Sequence, residues 1–162
     1  MLLGHRSARR NGADDVAAKL HHQIDYTLTE SRVILPGAQA LFGFQLIVIL
    51  TKSFATLPDD ARMAHLAALS CVALAIVLLI APAAIHRIAF DGDDDERFLR
   101  IASRILTLAL VPLSLGISTE LYVAATRLLP GTAAPSWTAA IALCLLLSLW
   151  YVVPLVLRKS ES

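Results

Sequence analysis

The sequence predicts an all-α integral membrane protein, a four-helix bundle preceded by a cytoplasmic amphipathic helix. Of its 162 residues, 57% are hydrophobic and 17% are charged, and the mean hydropathy is +0.67. A soluble domain is nearer half apolar and a quarter charged. The apolar residues also fall into four blocks. A helix of roughly 20 residues crosses the ~30 Å hydrocarbon core of a bilayer, so each block is long enough to span it.

Charge and cysteine usage exclude several classes of protein. The formal net charge is +1 and the basic residues flank the apolar blocks, so no nucleic-acid partner is expected. Cys71 and Cys144 lie inside apolar blocks, which indicates small buried residues rather than a disulfide scaffold or a redox pair. No apolar signal-peptide core precedes the first block, so that block is expected to be an uncleaved anchor.

The N-terminal region divides into two predicted segments. Residues 1–13 are basic and contain two glycines, which predicts a disordered segment. Residues 14–31 predict an amphipathic helix that lies on the membrane or packs on the end of the bundle, with a soluble juxtamembrane helix as the alternative. Its apolar residues recur every four positions: Val16, Leu20, Ile24 and Leu28.

The membrane domain is expected over residues 32–159. Its first span is predicted at 33–54, with Pro36 in the first turn, where a missing N–H is tolerated. The second span is predicted at 63–90, and Pro82 is expected to bend it near its end.

An acidic run, FDGDDDER, separates the second span from the third. An EF-hand calcium loop requires glycine at its sixth position and glutamate at its twelfth. Counted from Asp91, those positions hold Glu96 and Ala102, so the run predicts a solvated turn at a helix N-terminus instead.

The third span is predicted at 101–129, and Pro112 in its interior is expected to kink it. Pro112, Gly116 and Glu120 recur every four residues, which is typical of a face that packs against other helices.

The fourth span is predicted at 137–157, with aromatic residues near both ends, and residues 160–162 form a polar tail. Eleven of the fourteen Lys and Arg residues lie on the side that holds both termini. The positive-inside rule therefore predicts that both termini are cytoplasmic. The three on the other side are Lys52, Arg62 and Arg127.

Glu120 is the main candidate functional residue. A carboxyl inside a bilayer is costly, roughly 2.5–3.5 kcal/mol on insertion scales, so it should face other helices or water. Burial favours its neutral form, which makes it a candidate proton- or cation-responsive group. The alternative is a structural carboxyl, hydrogen-bonded to a neighbouring helix or paired with Lys52 or Arg127.

Other polar residues suggest weaker hypotheses. Gln39 and Gln45 are candidates to line a polar path with Glu120, although glutamines in membranes more often join helices, and Gly43 allows close helix approach. A metal site at His21, His22 and Asp25 is not expected, because adjacent side chains on a helix diverge by about 100°. No catalytic or nucleotide-binding motif is present, so neither enzyme activity nor a cofactor is expected.

Two runs, TESRVILPGAQALFGFQL at 29–46 and LLIAPAAIHRIAF at 78–90, resemble a family of small bacterial four-helix membrane proteins classed as a domain of unknown function. Some of its members carry an automatic sodium:proton antiporter label. The resemblance covers about residues 30–129 and implies four spans in a bacterial inner membrane, without an established activity. The positions that carry it are Glu30, Arg32, Pro36, Gly37, Gln39, Phe42, Pro82, His86 and Arg87.

Two functional hypotheses follow. The first is a non-enzymatic accessory or regulatory membrane protein that acts by helix–helix association with a second copy or with another membrane protein. The second is a proton- or cation-conducting oligomer that uses Glu120. A lipid or partner contact at the interface is a further hypothesis, and its residues are His86, Arg87, Glu30 and Arg32.

Overall fold

The computed structural model describes the backbone of residues 2–91 and 93–160, and the side chains of residues 15–91 and 93–160. Within these ranges the regular structure is entirely helical, which confirms the all-α prediction. The elements are α1 (Leu2–Ile49), α2 (Lys52–Ala55), α3 (Asp59–Ala89), α4 (Glu96–Leu128), α5 (Ala134–Leu147), a π-helical turn (Ser148–Val152) and α6 (Val153–Ser160).

Four helical segments are long and apolar enough to cross a membrane, as predicted. This statement rests on length and composition, and it fits the requirement for about 20 apolar residues in each span. We call them the first to fourth spans: Asp15–Ile49, Asp59–Ala89, Glu96–Leu128 and Ala134–Ser160.

The first helix differs from the prediction of a disordered segment, a separate amphipathic helix and a new helix at residue 33. Instead, α1 runs without interruption from Leu2 to Ile49. Pro36 therefore lies in its interior rather than in a first turn. The amphipathic stripe explains the continuity, because Ile24 and Leu28 are buried against α4 and hold this segment in line with the rest of α1.

The other helix boundaries also shift from the predicted ones. A short helix, α2, follows the end of α1, so the first span does not continue to residue 54. α3 begins at Asp59, where two aspartates occupy the first turn and favour the helix dipole. α4 begins at Glu96 because the Asp95 side chain accepts a hydrogen bond from the Arg97 backbone N–H at 2.5 Å.

The fourth span is not a regular helix. Pro154 has no N–H to bond the Trp150 carbonyl, and the helix widens into a single π turn just before it. The span ends at Ser160. The rest of the predicted polar tail, residues 161–162, lies outside the described residues, as does Met1.

α4 is the central helix of the bundle, since it packs against α1, α3 and α5. Three apolar clusters follow one another along it, centred on Phe98, Ala109 and Val123. The fourth span is peripheral. None of the residues in its most apolar stretch are buried, whereas 44% of the residues in the corresponding stretch of α4 are buried. The middle of the bundle is therefore built by α1, α3 and α4.

Candidate functional site

Glu120 lies where three helices meet at one end of the bundle. It is on α4, near the C-terminal end of that helix, and it faces the end of α1 and the beginning of α3. Its side chain is 23% exposed. The sequence-based prediction that this carboxyl would face other helices agrees with this position.

Two side chains from different helices bind the Glu120 carboxyl. The Gln45 amide Nε2 on α1 donates a hydrogen bond to Oε2 at 3.2 Å. The His65 Nδ1 on α3 lies 3.0 Å from Oε1. Gln45 and His65 are each only 1% exposed. Their contacts with Glu120 therefore lie in the interior of the bundle, where electrostatic interactions are strong. We call Gln45, His65 and Glu120 the polar cluster.

The His65 ring has contacts at both of its nitrogens and with a neighbouring aromatic ring. Its second nitrogen, Nε2, lies 3.1 Å from the backbone carbonyl oxygen of Gln45. The Phe54 ring, on α2, meets the imidazole edge to face, with the ring centroids 5.1 Å apart. The short helix α2 therefore covers the polar cluster, and its position follows from the Thr51 N-cap, whose side chain accepts from the Phe54 N–H.

One side of the polar cluster opens into a cleft of about 270 Å³. Glu120, Thr51 and Ser53 are in its wall, and the Thr51 hydroxyl donates to the Val48 carbonyl oxygen at 2.7 Å. Arg127 lines the same cleft two turns further along α4. The carboxyl therefore has a buried side, towards His65, and an open side, towards a cleft that Arg127 also lines.

Of the predicted candidates, Gln45 binds Glu120, whereas the predicted ionic partners Lys52 and Arg127 do not. Among the described residues, no ion pair joins Glu120 to Lys52 or Arg127. Lys52 is exposed on α2. The physical reason is the early end of α1, because the chain turns away at residues 50–51 and takes Lys52 out of line with Gln45.

His65 is the residue that sequence reasoning missed. The second span is antiparallel to the third, so the start of one lies at the depth of the end of the other. At about 1.5 Å per residue, His65 is roughly 9 Å inside α3 and Glu120 roughly 12 Å from the end of α4. This agreement in depth is the signal in the sequence that could have placed His65 beside Glu120.

The structure does not gather the other candidate residues around Glu120. Gln39 is exposed on α1, and a Cβ on Gly43 would meet nothing within 4 Å. At the opposite end of the bundle His86 is half-buried and its ring packs against Phe98, with centroids 4.7 Å apart. Three further candidates are exposed there: Glu30, Arg32 and Arg87.

The structure places the two predicted kink residues in the core. Pro82 in α3 and Pro112 in α4 are both buried inside their helices. In the part of the chain that the structure describes, no group of three or more His, Cys, Asp or Glu side chains is arranged to hold a metal ion.

A small chain whose described regular structure is entirely helical, with four helices long and apolar enough to cross a membrane and a part-buried acid–histidine contact, has the features of a polytopic membrane protein. Residues 14–154 match the model of a family of unknown function, DUF6328, and the chain belongs to that family. The resemblance to a domain of unknown function is thereby confirmed. No curated protein and no solved structure matches the chain.

Proposed function

We propose that this protein takes up and transfers protons within the membrane, with Glu120 as the central proton-binding group. The observation that carries the proposal is the 3.0 Å contact between Glu120 Oε1 and His65 Nδ1 inside the bundle. An ionisable residue within a membrane span marks a proton or ion pathway by default, because its burial is costly. The proposal assigns the protein no covalent chemistry.

The environment of Glu120 favours a proton over a metal cation. A sodium or calcium ion needs several oxygen ligands. Here the buried side of the carboxyl faces an imidazole nitrogen and an amide N–H, which are not ligands of such ions. Arg127 also lines the cleft on the open side, and it supplies no oxygen ligand for such an ion.

Proton flux into proteoliposomes, measured with a pH-sensitive dye, tests this function. Glu120→Gln keeps the size and a hydrogen-bonding capacity of the side chain but binds no proton at physiological pH, so we expect at least a tenfold loss of flux. Glu96→Gln is the matched control because that carboxyl is 72% exposed, far from the polar cluster. Equal flux in all three folded proteins, or none in the wild type, overturns the proposal. Sodium flux is followed in parallel and is expected to be absent.

We also propose that the protein lies in a bacterial inner membrane with both termini in the cytoplasm. The distribution of Lys and Arg and the resemblance of the two sequence runs support this. The polar cluster and its cleft would then open towards the outer side. A green fluorescent protein fused to the C-terminus is expected to fluoresce in a bacterial host, whereas a dark, fully expressed fusion contradicts the orientation.

A specific observation favours association with a second copy as an additional function of the first span. Gln39 is exposed on α1, about 15 Å from the end of the helix and therefore deep in the bilayer. Gly43 is one turn away, with open space beside it. An amide next to a small residue is a typical helix-packing face in membranes.

Crosslinking in proteoliposomes tests the association. Gly43→Leu fills the open space beside Gln39 and is expected to reduce dimer formation at least fivefold. Ala140→Leu adds the same bulk at an exposed position of the fourth span and is expected to have no effect. Equal crosslinking of both variants and the wild type contradicts this role of the first span.

A further inference from the structure

The hydrogen-bonding partners of His65 fix how many protons the polar cluster holds. Both ring nitrogens of His65 face acceptors, since Nε2 lies 3.1 Å from the Gln45 carbonyl oxygen and Nδ1 lies 3.0 Å from a carboxyl oxygen of Glu120. A neutral imidazole has one donor and one acceptor, whereas a carboxylate and a backbone carbonyl can only accept. A neutral His65 beside an ionised Glu120 therefore leaves two lone pairs facing each other.

One additional proton removes this conflict, and it can occupy either partner. On His65 Nδ1 it gives an imidazolium that donates to both acceptors. On Glu120 Oε1 it gives a carboxylic acid that donates to Nδ1, while the Nε2–H still donates to the Gln45 carbonyl. The two arrangements contain the same number of protons and differ only in the position of the proton along the 3.0 Å contact.

We propose that Glu120 and His65 hold one proton between them, and that His65 is a second proton-bearing residue of the site. This inference deepens the proposed function and rests on it for its role in transport. The transfer step moves the proton from Nδ1 to Oε1, so the ring changes from cation to neutral and the carboxylate becomes a neutral acid. Neither arrangement places a net charge on the pair, which suits its 1% exposed histidine.

The unpaired side-chain oxygen of Gln45 supports a role for this residue in proton exchange. Gln45 Oε1 is buried and has no hydrogen-bond partner among the described residues, while Nε2 donates to Glu120. If a second proton reaches Glu120 Oε2 from the cleft, rotation of the amide brings Gln45 Oε1 into position to accept from it. The buried acceptor then gains the donor that it lacks in the one-proton state.

The surrounding charges leave the pair intact and lie around its open side. On α4, Arg127 lines the cleft, and the Tyr122 hydroxyl donates to Asp60 at 3.3 Å. On α3, Arg62 is paired with Asp59. Lys52 is exposed on α2. Gln45 is the α1 contribution and does not titrate, and the fourth span supplies none of the described residues that line the cleft.

Release of the proton then requires Glu120 to leave His65. The pair without its proton has two unsatisfied acceptors 3.0 Å apart, so the ionised carboxylate gains by turning towards the open side. There Ser53 and Arg127 line the cleft, whereas the Thr51 hydroxyl already donates to the Val48 carbonyl oxygen. The cleft is therefore the exit through which the pair exchanges its proton with water.

Nuclear magnetic resonance in lipid bilayers counts the protons directly. The protein is labelled with ¹⁵N-histidine and ¹³C-glutamate, and the ring nitrogens of His65 and the carboxyl carbon of Glu120 are observed at pH 7. The expected result is a protonated Nε2 together with one shared proton, on either Nδ1 or the carboxyl. Exposed His22 gives the reference spectrum in the same sample. A ring protonated only at Nδ1 beside an ionised carboxylate, an unprotonated Nδ1 beside an ionised carboxylate, or protons on both Nδ1 and the carboxyl overturns the proposal.

Two variants separate this inference from the transport function. In Glu120→Gln the introduced amide donates to Nδ1, so Nδ1 is expected to be unprotonated and the ring neutral. His65→Gln retains an N–H towards Glu120 but carries no exchangeable proton, and its proton flux is expected to fall at least tenfold. One shared proton beside a protonated Nε2, without flux in the wild type, supports the pair and refutes transport, whereas undiminished flux in His65→Gln refutes the transfer role of the histidine. The wild-type spectrum decides the count even if a variant fails to fold.

Discussion

Gly116 on α4 lies directly against Val72 on α3. A Cβ built on Gly116 would be 2.6 Å from Val72 Cγ2 and 3.2 Å from the Ala68 carbonyl oxygen. Real Cβ atoms do not approach other atoms at the shorter of these distances, so the glycine sets the separation of the two helices. Because Glu120 is one turn further along α4 and His65 is two turns back along α3, this separation also determines the geometry of the polar cluster.

Gly116→Ala is therefore expected to lower the free energy of unfolding by about 1–3 kcal/mol, the usual range for an overpacked contact. The branched Val72 side chain and the Ala68 backbone leave little room for adjustment. Gly43→Ala is the matched control, because its new Cβ meets nothing within 4 Å. Thermal unfolding in detergent compares the two, and equal melting temperatures would show that α3 and α4 do not approach this closely.

The helical architecture could be predicted because each span has its own local signal. An apolar block of sufficient length predicts a span whatever its neighbours are. The buried face of the third span was also accessible, since Pro112, Gly116 and Glu120 recur every four residues. Such periodicity depends only on helix geometry and needs no knowledge of the partner helix.

The polar cluster could not be predicted in the same way because it depends on which helix faces meet. Glu120 and His65 are separated by 55 positions, and no local pattern connects them. The short helix α2 adds to the difficulty, because its turn removes Lys52 from the axis of the first span and brings Phe54 over His65. The way the helices pack therefore decides which side chains bind Glu120, and residue chemistry alone does not identify them.

The continuity of α1 follows from the same cause. The stripe of Leu20, Ile24 and Leu28 predicts a buried face, but it does not identify the surface that buries it. In the structure that surface is Phe98 and Ala102 at the beginning of α4. The segment is thereby held as a continuous extension of the C-terminal part of α1.

Ile24→Ala should release this extension without unfolding the bundle. Ile24 is 1% exposed, and truncation of a buried isoleucine costs about 2–5 kcal/mol. The loss is expected to be local, because segments with few buried contacts open independently of the core. Hydrogen exchange is expected to accelerate in residues 15–30 and to stay unchanged in α3. Val16→Ala, at a position 65% exposed, should leave both regions as they are, and protection of residues 15–30 in both variants would contradict this packing.

Phe98→Ala is expected to destabilise the same end of the bundle more severely. The Phe98 side chain is fully buried, and its ring contacts those of His86 and Phe90 at centroid distances of 4.7 and 5.6 Å. Removing a buried phenylalanine costs about 3–5 kcal/mol because a cavity remains. The control is Phe44→Ala, at a position 67% exposed on the outer surface, where we expect a change of less than about 1 kcal/mol. Chemical unfolding measures both, and a similar small loss for the two variants would place Phe98 outside the core.

Tyr151 connects the peripheral fourth span to the third. Its hydroxyl donates a hydrogen bond to the Thr107 carbonyl at 2.5 Å, and it lies within the π turn that precedes Pro154. Tyr151→Phe keeps the ring and removes this bond, and we expect it to lower stability by about 1 kcal/mol. Tyr26→Phe removes a hydroxyl at a position 69% exposed and should leave the melting temperature unchanged. Proton flux through the polar cluster should persist in Tyr151→Phe, because neither that cluster nor its cleft includes the fourth span among the described residues. Equal melting temperatures for the two tyrosine variants would mean that the hydroxyl bond does not hold the fourth span in place.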